Sequence, residues 1–386
     1  MAAPAIGSRR CLPYEAPAWA AALRGTPSAR LPLGHFPTPL LRWSPAEQLA
    51  GRECWLKRDD LSGMELSGNK VRKLEFLLAE ALQQGADCVV TCGGLQSNHC
   101  RAVAVAARTL GLDSHLVLRL EDRALDDAGA ACGAMGLSGN LLLNRMVDAK
   151  TWIVTKAEYR KHGSEALMEV VRDRLARQGR RPYVIALGGS NPLGTWGYLR
   201  GFEELRQQAG EGFFSDIVLA TGSAGSLAGI ALANHLAGTG AKIWAFGACD
   251  SPAWFHRFID QSILPAMLPE AGAEAELRSE ALAEIRDARG RGYAESAPEE
   301  LRTIREVALR TGVLLDPVYS GKAMHAFLRL HRESPGLFGQ RVLFWHTGGL
   351  FGLWDKQEAL QALIGHGPPG DVAPLFGAAA SRARLQ

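Results

Sequence analysis

Lys70 is the first residue in the chain whose position indicates chemistry. It follows a glycine-containing turn at residues 67–69 and opens a stretch, residues 71–82, in which apolar side chains recur at steps of three and four. This spacing predicts an amphipathic helix that begins at Lys70. Because the positive end of a helix dipole destabilises an ammonium ion, the position favours a neutral, nucleophilic amine. Most lysines at helix starts are nevertheless solvated surface groups, so this residue alone does not establish a function.

The second signal is a glycine-rich loop, TGSAGSLAG at residues 221–229, between an apolar strand and a predicted helix. At such a junction, backbone N–H groups and the helix dipole can bind a phosphate. The spacing of Gly222, Gly225 and Gly229 does not match the dinucleotide fingerprint G-x-G-x-x-G, and no lysine follows as in nucleoside-triphosphate loops. The loop therefore predicts a site for a single phosphate group. A tight strand-to-helix turn without a ligand is the alternative.

Together, the lysine and the loop match the requirements of pyridoxal 5′-phosphate (PLP). This cofactor needs a lysine for its Schiff base and an anion site for its phosphate. Ser97 and Asn98 follow another predicted strand and offer a hydroxyl and an amide for a cofactor oxygen and a substrate carboxylate. Capping of the following helix is their alternative role, and the two roles are compatible.

The composition is that of a globular protein and excludes several function classes. The chain has 386 residues, 47% hydrophobic and 22% charged, enough for two ordinary domains or one large α/β domain. The net charge of +3 is a small excess of 43 basic over 40 acidic residues, so neither nucleic acid nor an anionic membrane surface is an expected partner. No apolar run approaches the roughly 20 residues that span a bilayer.

The cysteines predict neither disulfides nor a metal site. Seven of them are scattered without a Cys-x-x-Cys pair, which is typical of reduced thiols in an intracellular protein, and their spacing matches no zinc pattern. A cytoplasmic location is therefore expected. Residues 1–30 carry four arginines and one acid, as mitochondrial leaders do, but Pro4, Pro13, Pro17 and Pro27 disfavour an amphipathic leader helix.

A strand, a glycine-containing loop and a helix alternate along most of the chain. The predicted strands are apolar runs that begin near residues 87, 115, 151, 182, 216, 242 and 341. This alternation favours parallel sheets covered on both faces, in which ligands bind beyond the carboxyl ends of the strands. A helix is predicted at residues 165–178, and residues 271–295 have strong helical propensity. The charged residues 57–60 end a further apolar run, where local ion pairs are a commoner outcome than a site.

Six segments resemble those of one protein family. They are LKRDDLSGMELSGNKVRKLEF, GGLQSNHCRAVAVAARTLGL, GGSNPLGTWGY, GSAGSLAG, DPVYSGKA and FWHTGGLFGLWDK, and the similarity extends from about residue 33 to residue 356. In this order they resemble the D-cysteine desulfhydrase and 1-aminocyclopropane-1-carboxylate (ACC) deaminase family, which belongs to the tryptophan synthase β-like, fold-type II PLP enzymes.

The resemblance implies an α/β protein of two domains, each an open, twisted and mostly parallel sheet with helices on both faces. PLP would lie in the cleft between the domains. Residues 1–68 and 187–386 would form the larger, PLP-binding domain, and residues 69–186 the smaller domain inserted in it. The family also implies a homodimer that acts on a small amino-acid substrate.

The same resemblance assigns the contacts to the cofactor. Lys70 is similar to the family's Schiff-base lysine, and Lys73 to a residue that helps to hold the phosphate. Asn98 would bond the phenolic oxygen of PLP, and Thr347 would lie at its pyridine nitrogen. The phosphate loop would comprise Thr221, Gly222, Ser223, Ala224, Gly225 and Ser226.

For the substrate, the resemblance assigns Gln96 and Ser97 to its carboxylate or its protons. Tyr293 and Tyr319 resemble the family's two active-site tyrosines, which would steer the leaving group or shield the intermediate. Lys70 is assigned as the base for the Cα proton, with Ser97 as the contender, because both side chains could lie near that carbon.

Two positions favour the desulfhydrase branch of the family over the deaminase branch. Ser320 follows the second tyrosine and Thr347 precedes the Gly-Gly pair, where the deaminase branch has Glu and Leu. A carboxylate would keep the pyridine nitrogen protonated for cyclopropane opening, whereas a neutral hydroxyl suffices when thiolate leaves. Ser320 is accordingly assigned to substrate binding.

The sequence thus predicts a PLP-dependent lyase that converts D-cysteine to pyruvate, hydrogen sulfide and ammonia. Deamination of ACC on the same scaffold is the nearest alternative. A non-catalytic PLP-binding protein is disfavoured because cofactor storage would not require Ser97, Tyr293 and Tyr319. A nucleotide-binding enzyme is disfavoured because both phosphate-loop fingerprints are missing.

Overall fold

The computed structural model describes residues 8–120 and 136–365. The strands are β1 (Leu12–Pro13), β2 (Ala29–Arg30), β3 (Leu40–Arg42), β4 (Glu53–Arg58), β5 (Cys88–Gly94), β6 (Asp113–Leu120), β7 (Lys150–Thr155), β8 (Pro182–Val184), β9 (Asp216–Thr221), β10 (Lys242–Gly247), β11 (Glu284–Asp287) and β12 (Arg341–His346). The α-helices are α1 (Ser44–Ala50), α2 (Lys70–Gln83), α3 (Asn98–Thr109), α4 (Gly139–Met146), α5 (Lys156–Arg177), α6 (Pro192–Ala209), α7 (Gly225–Leu236), α8 (Pro252–Phe258), α9 (Leu264–Met267), α10 (Ser279–Leu282), α11 (Pro298–Thr311), α12 (Ser320–Glu333) and α13 (Gln357–Ile364).

The larger sheet has the strand order β11-β10-β9-β12-β4-β3 and is parallel except for the pair β3–β4. Because successive side chains of a strand point to opposite faces, β9 buries Ile217 and Leu219 on one face and Val218 and Ala220 on the other. Helices α6 and α7 complete the first core, and α11 and α12 complete the second. The expected parallel sheet with helices on both faces is confirmed.

The smaller sheet has the order β7-β6-β5-β8, and all of its pairs are parallel. Val89 of β5 packs with α2 and α3, whereas its neighbour Val90 packs on the opposite face with α5. Both faces of this sheet are therefore covered as well, which explains why β5 is a continuous apolar run.

Helix α2 packs into the cores of both sheets. Leu74 and Leu77 lie in the core formed with α3 beside the smaller sheet, and Phe76 lies with Trp196 of α6 in a core of the larger sheet. The helix begins at Lys70, as the spacing of its apolar residues predicts. Its first residue is consequently held by the packing of both cores.

The strong helical propensity of residues 271–295 does not produce a single helix. That stretch contains a short 3-10 turn, the four-residue helix α10 and the edge strand β11, which pairs in parallel with β10. Ile285 is 5% exposed in the core of the larger sheet. Burial of this side chain and pairing with β10 outweigh the local helical propensity. The helix predicted at residues 165–178 is longer than expected, since α5 spans Lys156–Arg177 with non-helical backbone at Gly163.

The described residues provide neither a membrane span nor an evident metal site. No helix in residues 8–120 and 136–365 combines the length and apolar character needed to cross a membrane. In the same ranges, no group of three or more His, Cys, Asp or Glu side chains could hold a metal ion.

Candidate active site

A cavity of about 440 Å³ lies where the carboxyl ends of strands from both sheets meet. Its wall includes Gly94 at the end of β5 and Arg119 near the end of β6. From the larger sheet it includes Thr221 at the end of β9 and Thr347, which follows β12. This is the place where open α/β sheets bind ligands, because the loops that leave the strands converge there.

Most of the residues that the sequence assigned to the site line this cavity. They are Lys70, Ser97, Asn98, Thr221, Gly222, Ser223, Ala224, Ser226, Tyr293, Tyr319 and Thr347. Four of the assigned residues lie outside the lining, namely Lys73, Gln96, Gly225 and Ser320.

Lys70 presents its amine to the cavity from the first position of α2. Burial lowers the pKa of this lysine to about 8, and the nearby groups that oppose the shift are the thiols of Cys249 and Cys100. No hydrogen bond or ion pair holds the amine within the described part of the chain. The sequence attributed a low pKa to the helix dipole, but removal of the amine from water is the main cause here.

The turn before Lys70 depends on a glycine. Gly68 has φ +104°, and a Cβ atom at this position would lie 2.9 Å from the carbonyl oxygen of Thr347. Two backbone bonds fix the turn: Gly68 N donates to Asp59 O at 3.1 Å, and Asn69 N donates to Thr347 O at 3.0 Å. The second bond ties the start of α2 to the residue that follows β12, so Lys70 and Thr347 line the same cavity.

The glycine-rich loop passes from β9 into α7 through a left-handed residue, Ala224, at φ +63°. Gly225 then opens the helix, and a Cβ atom there would lie 2.6 Å from Ser190 Oγ and 2.8 Å from Lys73 Nζ. Glycine is therefore required because the loop packs directly against these two side chains. At Gly222, a Cβ atom would lie 2.6 Å from the ring of Tyr319, so this glycine makes room for the tyrosine.

Lys73 contacts the loop from behind and does not line the cavity. It is 1% exposed, and its amine donates to the carbonyl oxygen of Gly188 and to Ser190 Oγ, both at 3.1 Å. Ser190 Oγ in turn donates to Ser223 Oγ at 2.8 Å. Burial, followed by the charge of Lys70, holds the pKa of Lys73 well below its usual value. The loop therefore has a basic amine behind it.

Ser97 and Asn98 begin α3 at the wall formed by the smaller sheet. Ser97 is the N-cap, and its hydroxyl oxygen accepts a bond from Cys100 N at 3.2 Å, so the cap does not use its hydrogen, which can bond the Cys100 thiol or a ligand. Gly93 makes room for it, because a Cβ atom there would lie 2.5 Å from Ser97 Oγ. Asn98 accepts a bond from Asn140 Nδ2 at 3.0 Å.

Gln96 is bonded to protein groups rather than to the cavity. Its amide nitrogen donates to Ser138 O at 3.2 Å, and its carbonyl oxygen accepts from Asn140 N at 2.9 Å. Asn140 also donates to Gln96 O at 2.9 Å. Gln96 thus fixes Asn140, which contacts Asn98.

Tyr293 and Tyr319 form a pair in the cavity wall. Their hydroxyl oxygens are 3.1 Å apart, and their rings meet edge to face with centroids 6.2 Å apart. Burial raises the pKa of both phenols, that of Tyr319 the more strongly. Both are therefore protonated at neutral pH, and one hydroxyl hydrogen of the pair is free to bond a ligand.

Ser320, in contrast, is directed away from the cavity. Its hydroxyl donates to Asp316 Oδ1 at 2.6 Å and accepts from Asp316 N at 2.8 Å. Ser320 is 1% exposed, so it fixes the turn that carries Tyr319 and has no path to a ligand in this arrangement.

The sequence did not single out several residues of the lining: Arg119, Tyr159, Cys249, Asp250 and Trp254. Arg119 had a detectable signal, since it is a charged residue near the carboxyl end of an otherwise apolar strand. Cys249 follows β10 in the same way that Thr347 follows β12. Tyr159 and Trp254 lie on helices, and no local pattern distinguishes them from core aromatic residues.

The donor groups of the cavity fit PLP. An unbonded lysine amine with a low pKa suits the carbonyl carbon of the cofactor, which reacts with a neutral amine. A loop that opens a helix, with a second lysine behind it, suits the phosphate. Thr347 lines the same cavity and carries a hydroxyl and not a carboxylate, which suits an unprotonated pyridine nitrogen.

Comparison with known proteins gives the family. A family model described as pyridoxal-phosphate dependent enzyme matches residues 31–348. The bifunctional D-cysteine desulfhydrase/1-aminocyclopropane-1-carboxylate deaminase, mitochondrial, of Arabidopsis thaliana is 46% identical over 366 residues, which cover 94% of this chain and 88% of that protein. A D-cysteine desulfhydrase of Klebsiella pneumoniae (strain 342) is 37% identical over 330 residues, covering 83% of this chain and 94% of that protein.

Comparison with solved structures indicates the same family. The crystal structure of an ACC deaminase homologue matches this chain with a TM-score of 0.76 at 34% identity, and the match covers 90% of this chain and 99% of that one. The predicted family and α/β fold class are thereby confirmed, and the expected cofactor is that of the matching family model. The chain belongs to the family of pyridoxal-phosphate dependent enzymes.

Proposed function

We propose that the protein is a PLP-dependent lyase that eliminates hydrogen sulfide from D-cysteine and yields pyruvate and ammonia. The observation that carries this proposal is the unbonded amine of Lys70, with its pKa of about 8, in one cavity with Ser97 and the tyrosine pair. The relatives from Arabidopsis thaliana and Klebsiella pneumoniae, both named for D-cysteine desulfhydrase activity, support the choice of substrate.

The cofactor would be held at both of its ends. Lys70 would bind its carbonyl carbon, Asn98 its phenolic oxygen and Thr347 its pyridine nitrogen. The phosphate would bind the loop from Thr221 to Ser226, with the charge of Lys73 behind it. When bound, PLP supplies an electron sink that makes the Cα proton of an amino acid acidic.

The arrangement of the protein groups favours Lys70 as the base and Ser97 as a hydrogen-bond donor to the substrate. A lysine with a pKa of about 8 is partly neutral at neutral pH, so Lys70 can accept the Cα proton. Ser97 keeps a free hydroxyl hydrogen after capping α3, which suits a donor to the substrate carboxylate. Gln96 would act through Asn140, and Ser320 through the turn that holds Tyr319.

Tyr293 and Tyr319 would bind the leaving sulfur. Because burial keeps both phenols protonated, the free hydrogen of the pair can bond the sulfur as negative charge develops on it. Replacement of either phenol by Phe should therefore lower kcat for D-cysteine more than it raises KM.

The decisive experiment combines a lysine variant with a set of substrates. Lys70→Ala should lose both the visible absorption of the bound cofactor and the release of sulfide from D-cysteine. Lys242→Ala, which changes an exposed lysine at the start of β10, should retain both and serves as the control. Persistence of the absorption band and of turnover in Lys70→Ala would refute the assignment of Lys70.

ACC deamination is the second candidate, because the Arabidopsis thaliana relative is named as bifunctional. Wild-type protein should release sulfide faster from D-cysteine than from L-cysteine, and should form less 2-oxobutyrate from ACC. Formation of 2-oxobutyrate at comparable efficiency would establish both activities. A cofactor spectrum without any product would indicate a PLP-binding protein without catalysis.

We also propose the domain division given by the sequence, with residues 69–186 inserted between residues 1–68 and 187–386. It is supported by the sheets, since β5 to β8 form the smaller sheet and β3, β4 and β9 to β12 form the larger one. Native-state hydrogen exchange should show residues 69–186 opening as a unit that is distinct from the rest of the chain.

A homodimer in the cytoplasm is the remaining part of the proposal. Leu142, Met146 and Trp354 are 39%, 75% and 50% exposed, and apolar side chains of this size are suited to a subunit contact. Sedimentation analysis should give twice the mass of one chain. The Arabidopsis thaliana relative is named mitochondrial, so localisation of a tagged chain must distinguish the two compartments.

A further inference from the structure

The cavity wall includes one arginine that has no role in the proposed reaction. Arg119 lines the wall near the carboxyl end of β6. Its guanidinium carbon lies 5.0 Å from the ring centroid of Tyr159 and 5.5 Å from that of Tyr293. Two aromatic rings therefore restrict the orientation of the guanidinium, and one of them belongs to the tyrosine pair assigned to the leaving group.

Arg119 has no acidic partner among the described residues, unlike Arg58 and Arg180, which are also partly buried. Arg58 pairs with Asp60 at 2.7 Å, and Arg180 pairs with Asp113 at 2.8 Å. Within residues 8–120 and 136–365, no carboxylate lies within ion-pair distance of Arg119, although Asp250 shares the cavity wall. A guanidinium on the wall of a cavity can form a charge-assisted bond with an anionic ligand that enters the cavity.

We propose that Arg119 determines substrate specificity by binding a negatively charged substituent at Cβ of the substrate. The proposal rests on the proposed lyase function, and it extends the substrate class to small D-amino acids whose Cβ group is anionic or leaves as an anion. Lys70, Asn98 and Thr347 are assigned to the cofactor, and Ser97 is assigned to the α-carboxylate of the substrate. The side of the cavity where Tyr293 lies is left for the Cβ substituent.

This placement matches the charge that develops in the elimination. The Cα–H bond breaks, its proton passes to the base, and its electron pair forms the Cα=Cβ bond. The Cβ–S bond breaks with its electron pair on sulfur, so hydrosulfide leaves as an anion. A guanidinium beside Tyr293 stabilises that charge, and the free phenolic hydrogen can bond the same sulfur.

The test uses two ligands of nearly equal shape that differ in charge. D-Aspartate carries a carboxylate at Cβ, whereas D-asparagine carries a neutral amide, and neither has a leaving group that β-elimination would expel. Their dissociation constants for the PLP-loaded enzyme are measured by calorimetry. We expect D-aspartate to bind at least roughly tenfold more tightly, because a carboxylate forms a stronger bond with the guanidinium than a neutral amide does.

The variants separate charge recognition from a merely structural role. Arg119→Gln should abolish the preference for D-aspartate over D-asparagine, because it weakens the binding of D-aspartate alone. Arg119→Lys should retain part of this preference because the positive charge remains. Arg286→Gln is the matched control, because Arg286 pairs with Glu284 on the edge strand and does not line the cavity. The visible absorption of the bound cofactor checks that each variant is folded and loaded.

Three outcomes would overturn the proposal. The wild-type enzyme could bind the two ligands equally well, or the preference could survive in Arg119→Gln. Equal weakening of both ligands by Arg119→Gln would instead place the substrate's α-carboxylate at Arg119. Because none of these measurements requires sulfide release, failure of the lyase function and failure of the role of Arg119 are distinguishable.

Discussion

Helix α2 carries buried charges of two kinds. Arg72 donates to Asp59 at 2.7 and 2.9 Å and to Glu204 at 2.9 and 3.0 Å. Lys70 and Lys73, on either side of it in sequence, have no carboxylate partner among the described residues. Positions 70 and 73 share one face of α2, whereas position 72 lies on another face. One helical turn therefore carries both a paired region, Arg72 with Asp59 and Glu204, and an unpaired region, Lys70 and Lys73.

The pKa values record the difference between these two regions. Burial alone would lower the pKa of Arg72, but Asp59 and Glu204 outweigh it and hold the value well above normal. Burial would raise the pKa of Asp59, yet Arg72 lowers it to about 2. For Lys70 and Lys73 no acid opposes burial, and both pKa values fall. Pairing favours the charged forms of Arg72 and Asp59, whereas burial without an acid favours the neutral amines of Lys70 and Lys73.

The largest expected effect comes from breaking the paired region. Asp59 is fully buried and accepts bonds from Arg72, Tyr198, Trp345 and Thr38. Asp59→Asn would leave Arg72 buried with a reduced counter-charge, which typically costs about 3–5 kcal/mol. Urea unfolding of the variant should show this loss. A change below about 1 kcal/mol would mean that Glu204 alone suffices as the partner of Arg72.

The next effect concerns the lysine behind the phosphate loop. Lys73→Met removes a buried amine whose low pKa favours the neutral form and which has no acidic partner among the described residues, so the free energy of unfolding of the cofactor-free protein should change by no more than about 1 kcal/mol. The dissociation constant of PLP, measured by titration of its visible absorption, should rise roughly tenfold or more.

Lys57 supplies the control for that variant, because it is equally buried but bonds Glu204 and the carbonyl oxygen of Thr38. Lys57→Met should destabilise the protein by several times more than Lys73→Met and leave PLP affinity nearly unchanged. If Lys73→Met proves the more destabilising of the two, the amine of Lys73 has a structural role through Ser190 and not an electrostatic role toward phosphate.

The pH dependence of stability should also distinguish the two regions. Lys70 has a pKa of about 8 in the folded cofactor-free protein, below the ~10.4 of an unfolded lysine. Between these values the unfolded chain binds more protons at this position, so stability rises with pH, by at most roughly 1.4 kcal/mol per pH unit. Below pH 8 both states are protonated and the contribution is constant.

The difference in unfolding free energy between wild type and Lys70→Met isolates this contribution, because the other titrating groups cancel. It should grow in favour of wild type from pH 8 to pH 10. A difference that stays flat across this range would show that the pKa of Lys70 is not depressed in the folded protein.

Local sequence signals sufficed for the unpaired region. The apolar spacing after Lys70 predicts the start of α2, and the strand, glycine and helix order at residues 221–229 predicts the phosphate loop. These are properties of a few consecutive residues. The resemblance to a family added Tyr293 and Tyr319, which are 26 residues apart in sequence and meet only in the fold.

The paired region could not be predicted in this way. The interpretation of residues 57–60 as local ion pairs is confirmed for Arg58 and Asp60 but wrong for Lys57 and Asp59. Their partners include Glu204, far along the chain, and no local pattern specifies a contact of that range. Arg119 had a local signal at the end of β6, but the lack of an acidic partner among the described residues is a property of the assembled cavity.

The smallest effect is expected at the neighbour of Asp59. Asp60 pairs with Arg58 two residues away, and their side chains are 13% and 20% exposed. Because water still reaches this pair, Asp60→Asn should cost less than about 1 kcal/mol in urea unfolding. Two adjacent aspartates would then differ several-fold in the same measurement, although they share their sequence context. Equal losses at both positions would mean that the number of buried bonds, and not pairing with Arg72, determines stability here.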